Sequence, residues 1–363
     1  MGEEAARRIR AAIAERGPIS FAEFMDLALY GEGGFYDDPP VGRDGDFVTS
    51  PHVHWWFAYA LARALGELQH ELGDPSPARI VEVGAGDGTL ARTVLDVIGD
   101  AGPVDYIAVE RARGAIARLH GLPNVIVATS LAEIAPVREA TLFANELLDN
   151  LPFRRFRRTG DAIVEVRVDA AGDSFVEIET PTDAESRADV GDIAHGDERI
   201  VPTGAFAFVD ELARSLERSY ALLIDYAEAD VAPTDRVHGY RDHRVVDDVL
   251  TDAGATDITA GVDIDAVAGR AVAGGLDVLG RVSQREALLA LGFREWGERQ
   301  RERQTALLAE GRDLEATRVW ESRSRASVLL ERPGLGGLTW LLLATPRLPV
   351  PAWLSAAEAL ASR

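Results

Sequence analysis

Apolar positions along the chain fall into two rhythms. Residues 4–16 repeat at helical spacing and stop at Gly17-Pro18, and a second helix is expected over 20–29. A glycine-rich stretch follows over 31–49, holding Gly33-Gly34-Phe35-Tyr36 and Gly45-Asp46-Phe47. Aromatic residues set between glycines point to a covering flap. A long helix is expected over 52–72, stopped by Gly73-Asp74-Pro75. From Ala78 the rhythm changes to short continuous apolar runs at 80–83, 104–109, 125–128, 140–144 and 220–224, with helices over 90–98 and 113–120. Strands buried on both faces of a parallel sheet read this way. The alternation predicts a Rossmann-like, doubly wound α/β sheet.

Between the fourth and fifth runs the pattern alternates or clusters at 153–156, 163–168 and 175–178, with Gly160-Asp161 and Gly172-Asp173 as turns. These predict an inserted β-meander. Residues 180–200 are polar and expected as loop. Residues 243–323 are expected to be mostly helical, and 338–344 reads as a closing buried strand. The resulting division has an N-terminal helical segment with its flap over 1–77. An α/β domain follows over 78–345, carrying a β insert (153–200) and a mostly helical insert (227–323), and 346–363 forms a tail.

Composition narrows the function. Hydrophobic residues make up 47% of the chain, enough for a sizeable core, yet no apolar run approaches the eighteen or so residues that span a bilayer. No membrane insertion is expected. The first sixteen residues are charged and lack the apolar stretch of a secretory signal, and their acidic residues argue against a transit peptide, so a cytoplasmic protein is expected. The chain has no cysteine, which removes disulfides, thiolate metal sites and cysteine nucleophiles. Its net charge is −22 and every Lys/Arg position is arginine. Such a surface repels a phosphate backbone, so nucleic acid is not an expected partner. The one dense basic run, Arg154-Arg155-Phe156-Arg157-Arg158, reads first as a solvated strand edge. His52 and His54 sit two apart on an expected helix and face different ways, and no metal site is expected.

The strongest chemical signal is Glu82-Val83-Gly84-Ala85-Gly86-Asp87-Gly88-Thr89, at a strand-to-helix junction. Glycines there let a ligand approach the backbone, and the helix start offers free N–H groups. The dinucleotide fingerprint Gly-x-Gly-x-x-Gly fails, because its last position is Thr89. The spacing of Gly84, Gly86 and Gly88 behind Glu82 matches instead the loop of S-adenosylmethionine-dependent methyltransferases. Glu110, at the end of the second strand, is placed to accept ribose hydroxyls. S-adenosylmethionine is therefore the expected cofactor.

A second cluster, Asn145-Glu146-Leu147-Leu148-Asp149-Asn150, follows the fourth strand, where a methyl acceptor would lie. Glu146 and Asp149 could grip a guanidinium, which pairs bidentately with carboxylates. Helix capping by Asn145 is the competing reading. Asp46, Thr49 and Ser50 in the flap are further candidates, Asp46 for catalysis and Thr49 and Ser50 toward the cofactor. Ser50-Pro51 also reads as a plain helix start.

Several segments together resemble the MidA / NDUFAF7-like class I methyltransferases, the complex I assembly factor family. They are Gly17-Pro18-Ile19-Ser20-Phe21 with Met25 and Ala28-Leu29-Tyr30, Gly34-Phe35-Tyr36, Gly45-Asp46-Phe47-Val48-Thr49-Ser50-Pro51, the glycine loop, Asn145-Glu146-Leu147-Leu148-Asp149-Asn150-Leu151-Pro152, Ile224-Asp225-Tyr226, Gly239-Tyr240-Arg241 with His243, Asp257-Ile258-Thr259 with Val262-Asp263, and Gln284 before Leu291-Gly292. The resemblance covers about residues 17–345. It implies N-methyl transfer from S-adenosylmethionine to a protein arginine, with a respiratory-chain subunit as partner. This chain departs from the family at His52, where a glutamate is usual. That change keeps open a second reading, a cofactor-binding assembly scaffold with little catalysis.

Overall fold

The computed structural model describes residues 2–37, 49–99, 102–182, 186–187, 190–191, 193–194, 197–227, 237–241 and 244–362. Asp46, most of the expected flap and His243 lie outside the described residues.

A seven-stranded sheet forms the centre. Its strands are β1 (Ala78–Val83), β2 (Val104–Val109), β3 (Val125–Ala128), β4 (Ala140–Asn145), β5 (Tyr220–Asp225), β6 (Asp277–Ser283) and β7 (Thr339–Ala344), in spatial order β6-β7-β5-β4-β1-β2-β3. Strands β1 to β5 run parallel, and β7 is antiparallel to both its neighbours. Successive strand residues face opposite sides, so each apolar run feeds two cores. Ile80, Tyr106, Phe143, Leu222 and Trp340 join the helix Trp56–Glu71 on one face. Val81, Ile107, Leu142, Leu223 and Leu341 meet the helix Thr203–Ser215 on the other. The chain winds outward from β1 through β2 to β3, then crosses back to β4 and β5. The reversal lies between β1 and β4, and in such sheets the crevice at the carboxyl ends of those strands receives ligands.

The meander appears as expected, as Arg154–Thr159, Ala162–Ala171 and Ser174–Pro181, but it also recruits Glu198–Val201 from the expected loop and Ile19–Ser20 from the N-terminus. Residues 243–323 are largely helical, yet they also supply β6. That edge strand escaped notice because Gly280 and a bulge between Val278 and Gly280 break its alternation. A three-stranded sheet of His238–Arg241, Arg244–Val246 and Asp257–Thr259 was likewise hidden among short polar segments. The helix expected over 52–72 is interrupted: Ser50–Val53 ends at an extended His54, whose Nδ1 accepts the Trp56 N–H and starts the next helix.

The helices Gly2–Arg16 and Phe21–Tyr30 close over the sheet's carboxyl edge. Ile9, Phe21, Phe24, Met25 and Leu29 bury themselves against Phe153 and Val168 of the meander region and Ile258 of the small sheet. The basic run at 154–158 is no solvated edge. Arg155 is 7% exposed, lies with its guanidinium over the Phe21 ring, and pairs with Glu177 and Glu198, its Nε lying 2.6 Å from Glu198 Oε1. Arg157 joins the same glutamates. Removing one partner of a buried ion network strands the others. Arg155→Met is expected to cost about 3–5 kcal/mol, read from the urea unfolding midpoint. A loss below about 1 kcal/mol would mean that solvent screens the network.

Candidate active site

One cleft of about 960 Å³ opens at the β1/β4 reversal. Its size is at the upper end for a ligand pocket, room for a cofactor and an acceptor together. Its floor is the glycine loop after β1. Gly84, Gly86 and Gly88 all have positive φ, at 75°, 55° and 77°. A Cβ at Gly84 would come within 2.9 Å of Leu147, and one at Gly88 within 2.5 Å of Leu122, whereas one at Gly86 would project into open space. Gly84 and Gly88 thus serve packing, and Gly86 keeps the cleft clear.

Acidic groups ring this floor. Glu82 is buried at the end of β1 and accepts the Tyr106 hydroxyl at 2.7 Å. Burial pushes its carboxyl up to about 8, with Glu110 and Asp87 adding to the rise and Tyr106 opposing it. A bound cation would reverse that shift. Glu110 is fixed by three backbone amides: Oε2 accepts Gly86 N–H, and Oε1 accepts those of Arg111 and Ala112. A carboxylate offers about four acceptor positions. One is therefore left for a ribose hydroxyl, and a second opens only if the Gly86 bond yields. Asp87 takes the Thr89 N–H and hydroxyl and faces His52 Nε2 at 3.2 Å. Burial raises its carboxyl, but these bonds outweigh burial and hold it at about 2. His52 Nδ1 lies 2.7 Å from Thr49 Oγ1, so Thr49, His52 and Asp87 tie the helix start at Ser50 to the glycine loop.

The opposite wall follows β4. Glu146 holds a left-handed φ of 50°, a strained geometry for a non-glycine residue. Its N–H reaches Ile224 O, and its Oε1 accepts both the Ser50 N–H and the Asn145 amide, each at 3.1 Å. Burial pushes the Glu146 carboxyl up to about 7. Asp149 accepts the Thr259 hydroxyl on Oδ2, and burial pushes it up to about 6. Its Oδ1 and the Oδ1 of Asn145 are buried without hydrogen-bond partners. Behind them Asp225, 1% exposed, accepts the amides of Leu147, Leu148 and Tyr226, and burial beside Asp149 pushes it well above the carboxylate range. The roof is phenolic. Tyr30 donates to Asn150 O and stacks on Tyr36, which donates to Asp257, while Tyr226 and Tyr240 complete the lining.

The fold thus brings Glu82, Gly84, Gly86, Glu110, Thr49, Asn145, Glu146 and Asp149 to one cleft. Ser50 is set apart: its side chain is fully buried on Gln284 Oε1, and its backbone braces Glu146. Reading the sequence for site residues passed over Asp225, Tyr226, Tyr30, Tyr36, Tyr240, Asp257 and Thr259. Asp225 had a usable signal, an acid ending an apolar strand just as Asn145 does. The others come from distant segments that carry the family resemblance, but no local pattern marks them as site residues. The roomy, acid-walled end beyond the glycine loop suits a flat, positively charged group rich in N–H donors.

Comparison with known proteins agrees with this geometry. A family model described as "Putative S-adenosyl-L-methionine-dependent methyltransferase" matches residues 60–282. The chain is 28% identical over 305 residues to the Drosophila melanogaster "Protein arginine methyltransferase NDUFAF7 homolog, mitochondrial", covering 72% of this chain and 68% of that one. It is 26% identical over 324 residues to the Homo sapiens protein arginine methyltransferase NDUFAF7, covering 79% and 73%. A Burkholderia thailandensis protein crystallised with S-adenosyl-homocysteine superposes with a TM-score of 0.79 at 26% identity, covering 97% of this chain and 94% of that one. The expectation of a cytoplasmic protein is overturned, since the NDUFAF7 relatives are named as mitochondrial. The error has a physical source. Residues 2–16 form a helix with Ala5, Ile9, Ala12 and Ile13 buried, so their composition reports packing and not address.

Gly86→Ala tests the floor of the cleft. The added methyl meets no protein atom, so folding should lose only the ~1–2 kcal/mol of a left-handed alanine. Calorimetric affinity for S-adenosyl-homocysteine should fall at least about tenfold. An unchanged Kd would place the ligand elsewhere.

Proposed function

Because the chain belongs to the S-adenosylmethionine-dependent methyltransferase family matched over residues 60–282, and so is a methyltransferase using that cofactor, we propose that it methylates a guanidinium nitrogen of a protein arginine. The observation that carries the acceptor is the pair of buried, unpartnered oxygens, Asn145 Oδ1 and Asp149 Oδ1, beside Glu146 in a cleft roofed by four tyrosines. Unpaired buried acceptors are costly, and an arginine side chain presents five N–H donors in a plane. Its charge would also offset the crowding of Glu146, Asp149 and Asp225. The relatives named as protein arginine methyltransferases support the same acceptor, and the family resemblance makes a respiratory-chain subunit the first candidate partner.

In this reading Glu82, Gly86, Glu110 and Thr49 hold the cofactor, and Gly84 and Gly88, packed against Leu147 and Leu122, shape the loop beneath it. Glu82 and Asp87 face its positive end, and Glu110 takes a ribose hydroxyl. When bound, the cofactor supplies a methyl group on a sulfonium. The protein's part is placement. Glu146 and Asp149 accept guanidinium N–H bonds, align one nitrogen along the transfer line, and take up the proton that leaves as that nitrogen is alkylated. The N-terminal helices and the meander act as a cap over the 78–345 core and keep water out. Asp46 stays a candidate on sequence grounds alone. The scaffold reading gains nothing from His52, which is engaged with Asp87 at the glycine loop and lies near enough to Glu146 to favour its ionised form.

Incubation with labelled S-adenosylmethionine and an extract, followed by mass spectrometry of methylated arginines, tests the acceptor. Glu146→Gln and Asp149→Asn should each lower kcat/KM by about 100-fold or more while leaving S-adenosyl-homocysteine binding intact. Unchanged turnover in both would sink the assignment. The pH dependence has a definite sign. Glu146 near 7 and Asp149 near 6 must be ionised to hold a cation, and both are raised. The kcat/KM should therefore climb as pH rises through 6 to 7, and Glu146→Gln should remove the upper part of that limb.

A further inference from the structure

The inserted strand Asp257–Thr259 reaches the acceptor wall from a segment far along the chain. Its alternation splits its duties: Ile258 is fully buried in the core under the N-terminal helices, and Asp257 and Thr259 turn toward the cleft. The strand is locked to the loop after β4. Ala260 N–H donates to Asp149 O, and Asn150 Nδ2 donates to Ile258 O and to Asp257 Oδ1. The remaining bond runs from Thr259 Oγ1 to Asp149 Oδ2 at 2.9 Å.

We propose that Thr259 is a positioning residue for methyl transfer: its hydroxyl holds Asp149 Oδ2 so that the unpartnered Oδ1 faces the incoming cation. This rests on the acceptor reading above. The groups facing Asp149 are Glu146 from its own loop, Asp225 and Tyr226 from the end of β5, Asp257 and Tyr240 from the inserted sheet, and Tyr30 and Tyr36 from the N-terminal helices. The carboxylates among them oppose a charge on Asp149, the phenols stay neutral, and the backbone N–H groups of Asn150 and of Asp149 itself favour the charge. Among the described residues Thr259 is the one side chain that donates to it. The hydroxyl therefore also favours the ionised carboxylate, against burial, which drives it the other way.

The test uses ethylguanidinium as probe, titrated calorimetrically into protein saturated with S-adenosyl-homocysteine, between about pH 5 and 8. Thr259→Val keeps shape and strand preference but removes the donor. It should weaken ethylguanidinium about tenfold at pH 6 and move the midpoint of the pH profile up by about one unit, the scale of a hydrogen bond to a charged group. Affinity for S-adenosyl-homocysteine should hold, and the melting temperature should fall by no more than the loss of one buried hydrogen bond allows. Thr259→Ser should restore the wild-type profile. A Thr259→Val profile that overlays wild type, while Asp149→Asn abolishes binding, overturns the role of Thr259 alone. Ethylguanidinium binding that Asp149→Asn leaves intact, or that wild type lacks, overturns the acceptor reading and this inference with it.

Discussion

Taking Glu82, Asp225 and Asp257 out of water along one edge of a sheet, with Glu146 and Asp149 half-buried beside them, is costly, and much of the molecule is arranged around that cost. Isolated buried carboxylates either lose their charge or acquire partners. Glu82 finds Tyr106, Asp225 finds three amides, and Asp257 finds Tyr36 and Asn150. Glu146 and Asp149 are only partly satisfied, which leaves the site short of positive charge. A cofactor with a sulfonium and an acceptor with a guanidinium are two cations of the right kind to relieve it.

The partners come from separate places because no single segment could supply them. The sheet reverses its winding between β1 and β4, which splays the following loops apart and makes the crevice. The glycine loop lines one side and the Asn145–Asn150 turn the other. The N-terminal helices, the meander and the small inserted sheet then close the remaining sides through one shared apolar core around Phe21, Phe153 and Ile258. Tyr30 makes that closure chemical as well as steric. It covers Arg111, beside the Glu110 anchor, and its hydroxyl reaches Asn150 on the acceptor side. The two halves of the cleft are thereby joined through one side chain of the cap.

Much of this was legible in one dimension, and the limits are instructive. The five parallel strands announced themselves because burial on both faces leaves continuous apolar runs. The glycine loop did so because a left-handed backbone beside a ligand tolerates little else. Glu110, Asn145, Glu146 and Asp149 were visible as polar residues ending apolar strands. In contrast, β6 was masked by a bulge and a glycine on a sheet edge, and Asp257 and Thr259 sit in a three-residue strand that periodicity cannot register. The arginine run at 154–158 read as solvated because its glutamate partners lie on other strands, and strand pairing is not written locally.

By itself, then, the sequence determined the α/β core, the glycine loop and four of the cleft's carboxylates, Glu82, Glu110, Glu146 and Asp149. Each of these depends on local backbone geometry or on burial of a contiguous run. Tertiary structure decided which of those carboxylates keep a free oxygen, which phenols roof them, and that Ser50 braces Glu146 while its own side chain turns away from the cleft. Those outcomes depend on distances between segments as far as 234 residues apart in the chain, set by how the insertions pack on the cap.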